Sequence, residues 1–293
     1  GLNAQWTVYN GSKRLKTIEQ EKLNNRVAEL NVAISEKNIE ESITQTYVQI
    51  LYAAESVKVN ESTLAVSEAQ CDRGKELLAA GSLSKADLAQ LEAQVSTDRY
   101  QLVTAQTTLQ NYKLQLKQLL ELDGEEEMNL YLPALDNSKV LSPLPTKTDV
   151  YHAALAVRPE IESGKLNIQA SELNIDIARA GYMPSVSLSA GIGTNNTSGS
   201  DFTFAQQVKN GWNNSLGLSI SVPIFNNRQT KSAVQKAKLQ RETSMLNLLD
   251  EQKTLYKTIE GLWLDANSAQ QRYVAAQEKL RSTQTSFDLV SAQ

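Results

Sequence analysis

The chain has 293 residues, a net charge of −4 and a pI near 5.3, so it offers no basic footprint for nucleic acid. Apolar residues make up 41% and aromatics 6%, a mixture that suits long helices burying a narrow stripe better than one thick core. A single cysteine, Cys71, excludes an internal disulfide framework, and no run of about 18 apolar residues could form a membrane-spanning helix.

The first residues already alternate: Leu2, Ala4, Trp6 and Val8 against Asn3, Gln5 and Thr7, the period of a strand. From residue 12 to about 79 there is no proline and one glycine, Gly74, while Ile43, Tyr47, Ile50, Ala54, Val57 and Leu64 recur near the spacing of a coiled-coil seam. This predicts a single helix of roughly 100 Å at ~1.5 Å per residue. Gly81 is placed to end it, and Ser84 with Asp87 forms a capping box for the next helix. That second helix has the cleanest seam: Leu88, Leu91, Val95, Asp98, Leu102, Ala105, Leu109, Tyr112, Leu116 and Leu119, polar only at Asp98. Two such helices joined by a tight turn predict an antiparallel hairpin packed by knobs into holes.

Asp123-Gly124 closes the hairpin, Glu125-Glu126-Glu127 reads as a solvated charge run, and residues 130–145 hold three prolines in a loop-like stretch. Thr146 and Asp149 form another capping box, opening a short helix that ends near Arg158. Pro159 begins a helix that runs to about Tyr182. After Pro184 the alternation returns, with Val186, Leu188, Ala190 and Ile192 on one face and serines and glycine on the other. A Gly/Asn/Ser/Thr-rich loop from residue 193 to about 210 leads to a strand with Leu216, Leu218, Ile220, Val222 and Ile224 opposite Ser215, Gly217, Ser219 and Ser221. A last long helix is expected to bury Leu255, Ile259, Leu262, Ala266, Ala269, Tyr273, Ala276 and Leu280.

The strand-to-helix passage occurs twice. GLNAQWTVYN from Gly1 and GLSISVPIFN from Gly217 align without a gap, and further on Lys22-Leu23 meet Lys238-Leu239. A repeat this long implies one duplicated module. We therefore expect a mainly α fold with a minor β part, organised as a first repeat over 1–122 with its hairpin tip near 80–84, a linking segment over 123–150, and a second repeat over 151–293 with strands at 184–193 and 213–225. Gly1 already lies in a strand pattern and Gln293 in an amphipathic helical one, so a piece of a longer protein is expected. By alternation alone, the strands suit a membrane barrel with a wet interior or a soluble sheet with one face on a core.

Chemistry-bearing residues are sparse. His152 is the only histidine, Cys71 has no base near it in sequence, and Arg158-Pro159-Glu160 reads as a helix boundary. With no phosphate loop, triad order or metal-ligand spacing, no catalytic, cofactor or metal residue is assigned and no enzyme is expected.

Three runs carry a resemblance: Ala154–Ile161 with Ala178–Leu188, Val222-Pro223-Ile224-Phe225-Asn226-Asn227-Arg228, and Gly81–Leu88 followed by Glu92-Ala93-Gln94. Together, in this order, they resemble TolC-like outer-membrane efflux proteins. The resemblance implies a homotrimer in the outer membrane of a Gram-negative bacterium. Each chain would give strands to a shared barrel and helices to a periplasmic tunnel, with residues 123–150 as an equatorial segment. It further implies a passive duct for tripartite efflux or type I secretion that meets a periplasmic membrane-fusion adaptor and, through it, an inner-membrane pump. Gly81, Ser82, Leu83 and Ser84 would form the adaptor-contact tip, and Asp87 would be an acid at the tunnel entrance. On the strands, Val186, Leu188, Ile192, Leu218, Ile220 and Val222 would face lipid and Ser187, Ser189, Ser219 and Ser221 the lumen. A lipoprotein is among the forms allowed, its anchor belonging ahead of Gly1. The family has four strands per chain where three are read here. The competing reading is a soluble periplasmic coiled-coil scaffold or adaptor.

Overall fold

The computed structural model describes residues 1–123, 128, 130, 131, 140–199 and 201–291, so Glu125-Glu126-Glu127 and much of the 123–150 segment lie outside the described residues. In chain order the elements are β1 (Leu2–Asn10), α1 (Lys13–Ala79), α2 (Lys85–Leu119), α3 (Lys147–Val157), α4 (Pro159–Arg179) with a 3₁₀ turn at Ala180–Tyr182, β2 (Ser185–Gly193), α5 (Phe204–Asn210), β3 (Asn213–Ser221) and α6 (Gln229–Ser291). The fold is mainly α with a small antiparallel sheet. Among the described residues, no helix is long and apolar enough to cross a membrane.

The chain divides into two compact units, Ile34–Lys139 and Gly1–Ala33 with Val140–Gln293. In the first, α1 and α2 form the expected hairpin. All ten seam positions read for α2 are shielded from solvent, with Asp98 and Leu116 fully buried. The α1 seam is also as read, but small and polar residues complete it: Thr46, Ala53, Ser67 and Cys71 are buried too. They allow close approach, and a side chain at Gly74 would start 2.6 Å from Leu91 Cδ1. Apolar periodicity could not reveal Thr46 and Ser67, which are polar, and Ala53 and Cys71 are too small to stand out in it.

In the second unit, the sheet has the order β1-β2-β3, all antiparallel. Below it α4 packs on α6 through Arg241–Glu172 at 2.8 Å and the Ser171–Ser244 hydroxyl pair at 2.9 Å. The start of α1 reaches α4 where Gln20 Nε2 donates to the Ala170 carbonyl at 3.0 Å. The seam read for α6 is only partly correct. Leu255 is buried and Ile259, Ala266 and Tyr273 are half-buried, but Leu262 is 63% exposed, as are Ala269, Ala276 and Leu280 to various degrees. Trp263 turns inward in place of Leu262, because it donates Nε1–H to the Pro145 carbonyl at 3.1 Å.

The duplicated unit is sharpest at the elbow between strand and helix. Gly11 and Ser12 have φ of 67° and 65°, and Asn227 and Arg228, at the same offset of 216, have 49° and 61°. Both elbows release the chain into a helix, at Lys13 and at Gln229, and both close with the same bond, Lys16 N to Ser12 O at 3.1 Å and Ser232 N to Arg228 O at 2.9 Å. Asn10 Oδ1 accepts the Arg14 amide at 3.2 Å, and Asn226 bonds the Thr230 hydroxyl.

The strands differ from the sequence reading in three places. A bulge between Thr7 and Tyr9 makes Val8 the extra residue, so that Tyr9 stands opposite Val186. β3 ends at Ser221 rather than 225: Pro223 has no N–H for a ladder, and β2 begins at Ser185, opposite Ser221. Val222 therefore lies just past the strand. Finally, the stretch read as loop to about residue 210 contains α5, opened by a complete capping box between Thr203 and Gln206.

Candidate functional site

The sheet separates two chemistries across all three strands. One face carries the rows Trp6-Leu188-Leu218, Ala4-Ala190-Leu216 and Tyr9-Val186-Ile220. The other carries Thr7-Ser187-Ser219, Gln5-Ser189-Gly217 and Asn10-Ser185-Ser221. Period two places alternate side chains on opposite faces, and the antiparallel register then aligns like with like. Neither face is covered in this chain: Leu216 is 79% exposed and Leu218 67%. Of the residues singled out on these strands, Val186, Leu188, Ile192, Leu218 and Ile220 share the apolar face, and Ser187, Ser189, Ser219 and Ser221 share the polar one.

The hairpin tip is a Schellman motif. Ser82 N bonds the Leu77 carbonyl at 2.8 Å and Gly81 N the Leu78 carbonyl at 3.0 Å, with Gly81 at φ 75° and open space where a side chain would grow. Ser84 caps α2, its Oγ accepting the Asp87 amide at 3.1 Å and donating to Asp87 Oδ2 at 2.7 Å. The Asp87 carboxylate thus serves the cap through the serine hydroxyl, where the capping-box reading had assigned it to the backbone. Gly81, Ser82, Ser84 and Asp87 are exposed. Leu83, expected on an exposed turn, is half-buried, with its Cδ2 3.5 Å from where a Gly74 side chain would begin.

A third feature escaped the sequence reading. The start of α3 and the segment ahead of it are clasped onto α6. Lys147 Nζ lies 2.9 Å from Glu260 and 5.2 Å from the Trp263 ring centre, and Gln270 Nε2 donates to the Val140 and Ser142 carbonyls at 2.9 and 2.8 Å. Tyr151 meets Tyr256 edge-on at 5.4 Å between ring centres. The hydrogen bond and charge of Glu260 raise the Lys147 pKa above the ordinary lysine value. Tyr256, Glu260, Trp263 and Gln270 lie on one helical face, a spacing visible in the sequence, although their backbone partners are not.

Where the sheet meets the helices, a cavity of about 510 Å³ is lined by Asn10, Lys13, Asn174, Ser185, Ser221 and Gln229, among others. Elsewhere the chemistry is plain. His152 is exposed beside Tyr151, Cys71 is buried in the hairpin seam, and Pro159 opens α4 behind Arg158. Glu160 lies 3.5 Å from Arg158, its other oxygen buried without a protein partner. No three His, Cys, Asp or Glu side chains stand close enough to hold a metal among the described residues.

Residues 150–293 match the protein family described as outer membrane efflux protein. The chain is 26% identical over 244 residues to the cation efflux system protein CusC of Escherichia coli K12, covering 80% of this chain and 51% of that protein. It is 24% identical over 296 residues to the proteases secretion protein PrtF of Dickeya chrysanthemi, covering 97% and 60%. The chain thus spans between half and three fifths of the length of these relatives. Its fold matches the crystal structure of the outer membrane protein VceC of Vibrio cholerae with a TM-score of 0.78 at 17% identity, over 97% of this chain and 66% of that one.

Proposed function

We propose that this chain, which is TolC-like in sequence and in fold, is the major part of an outer-membrane channel protein, a passive duct serving efflux or type I secretion. The observation that carries the reading is the two-faced sheet. Nine-residue strands at ~3.3 Å per residue, tilted by about 45°, span roughly 20 Å, near the ~25 Å apolar band of a membrane barrel. A soluble scaffold would leave the row of Leu216, Leu218 and Ile220 facing water with nothing to cover it. In lipid, that face needs no cover, and the small serines opposite leave room for a water-filled lumen.

Three strands cannot close a barrel, and a barrel must close to satisfy its backbone polar groups in lipid. A trimer of the whole protein, sharing one barrel, is the assembly that fits. Its place is the Gram-negative outer membrane, with the helices extending into the periplasm. The hairpin tip at Gly81, Ser82, Ser84 and Asp87 would meet a periplasmic adaptor and, through it, an inner-membrane pump. The names of the relatives span cation efflux and protease secretion, which suits a duct whose cargo is chosen by the pump. No catalytic step is required.

Light scattering of the full-length protein in detergent, followed by conductance in planar bilayers, tests this reading. A trimer with defined conductance steps is expected. A stable monomer that does not conduct would overturn it.

A further inference from the structure

We propose that the helix end of the sheet is a binding surface for anionic phospholipid headgroups, formed by the cations of the two elbows and the apolar residues beside them. The proposal rests on the barrel reading above. Its first support is a set of charges without local purpose. Lys13 and Arg14, in the first turn of α1, and Arg228 and Lys231, at the start of α6, are exposed. None of the four has an ion pair among the described residues, whereas neighbouring Lys16 and Arg179 are paired with Glu19 and Asp176. A helix start disfavours cations. Accordingly α2, α3 and α4 carry acids in their first turns, but α1 and α6 carry none. The two helices that leave the sheet are therefore the long helices that reverse the usual rule.

The second support is apolar. Beside these cations Ile224 is 95% exposed and Phe225 84%, with Tyr9, Tyr182 and Met183 also open to solvent. The two elbows supply their cations from different positions, since Ser12 matches Arg228 and Leu15 matches Lys231. The charge recurs although the residues do not. At the opposite end of the sheet Phe202, Phe204 and Trp212 are also exposed, but the adjoining charges are one acid and one base, Asp201 and Lys209. Only the helix end combines bulky apolar groups with excess positive charge. A phospholipid offers acyl chains to the first and a phosphodiester to the second. Free phosphate would use only the charges and would leave Ile224 and Phe225 without a role.

The test uses the full-length protein in a Cys71→Ser background, reconstituted in phosphatidylcholine vesicles, with a fluorophore on a cysteine at Tyr182→Cys or, separately, at Trp212→Cys. Quenching by brominated phosphatidylglycerol is compared with quenching by brominated phosphatidylcholine. At Tyr182 the anionic lipid should be preferred about fivefold or more at low salt, the factor expected for even one cation near an anionic surface. At Trp212 the ratio should be near one. The quadruple variant Lys13→Gln, Arg14→Gln, Arg228→Gln, Lys231→Gln should bring the Tyr182 ratio to one while keeping its quenching by phosphatidylcholine, which verifies insertion. Equal ratios at both positions would overturn this proposal and leave the barrel standing. Loss of the preference in inorganic phosphate, but not in chloride of equal ionic strength, would reassign the surface to free phosphate and also overturn it. Quenching by neither lipid at either position would overturn the barrel reading together with this one.

Discussion

Gly11 and Gly81 both have φ near +70°, yet replacing them should cost different amounts. At Gly81 a side chain meets nothing within 4 Å, so Gly81→Ala carries only the left-handed backbone strain, about 1–2 kcal/mol. At Gly11 the new Cβ would lie 2.6 Å from Met183 Cβ and 3.0 Å from the Ala180 carbonyl, so overlap adds roughly 1–3 kcal/mol to the same strain. Urea unfolding of the full-length variants, followed by circular dichroism, should show the larger loss at Gly11; equal losses would contradict the geometry. Asn227, the matching residue of the second elbow, is exposed, and asparagine tolerates its conformation, so Asn227→Gly should shift the midpoint little. At the tip, the inward turn of Leu83 makes it a poor probe of docking, because Leu83→Asp would also damage the hairpin. Ser82 is exposed. If the tip meets an adaptor, Ser82→Trp should abolish efflux in a drug-resistance assay while trimer yield stays normal.

Among the elements, α2 keeps one charge in its seam. Asp98 is 4% exposed and accepts one bond from Gln94 Nε2 at 2.9 Å. Asp98→Leu removes a buried carboxylate and fills the seam with a residue of similar length, while Gln94 remains at the surface. The hairpin should gain about 1 kcal/mol, read as a higher urea midpoint. A loss would mean that the carboxylate supports the packing through more than Gln94. The clasp makes a prediction about pH. The folded-state pKa of Lys147 is raised by Glu260, so its contribution is present below the ordinary lysine value and is lost as pH rises through the raised one. The stability difference between the wild type and Lys147→Met should therefore be constant near neutral pH and shrink in strongly alkaline buffer. The two side chains are 34% and 42% exposed, so solvent screens the pair; the difference will be small and will fall further with added salt. A difference that grows with pH would reverse the sign argued here.

For the whole molecule, the proposed assignment of lipid and lumen makes the register testable. In a Cys71→Ser background, single cysteines at Val186, Leu188, Leu218 and Ile220 should resist a membrane-impermeant thiol reagent, and those at Ser187, Ser189, Ser219 and Ser221 should label. The bulge extends the test to β1, where Thr7 should label and Tyr9 should not, although both positions are odd in the sequence. If Tyr9 labels and Val8 does not, the bulge is absent from the assembled barrel. If both faces of β2 and β3 label alike, the sheet is not in a membrane.

The sequence by itself determined what depends on local periodicity: every seam position of α2, the capped starts of α2 and α3, Pro159 at the head of α4, and the two chemical faces of the strands. These are set by backbone geometry within a few residues of each position, and an apolar or capping residue announces them directly. It also determined the duplicated elbow, since a gapless match at an offset of 216 residues carried Gly11-Ser12 onto Asn227-Arg228. Tertiary structure decided what depends on a partner distant in the chain. Ladder pairing with β2 ended β3 at Ser221 and made Val8 a bulge, since a strand can extend only as far as its neighbour offers hydrogen bonds. Backbone carbonyls from residues 140–145 drew Trp263 and Gln270 inward and left Leu262 outside. Gly74, facing α2 with no side chain, gave Leu83 a place to fold back from the tip. In each case the deciding group was a backbone ladder, a carbonyl or a vacant volume, and none of these has a hydrophobicity that a sequence pattern can display.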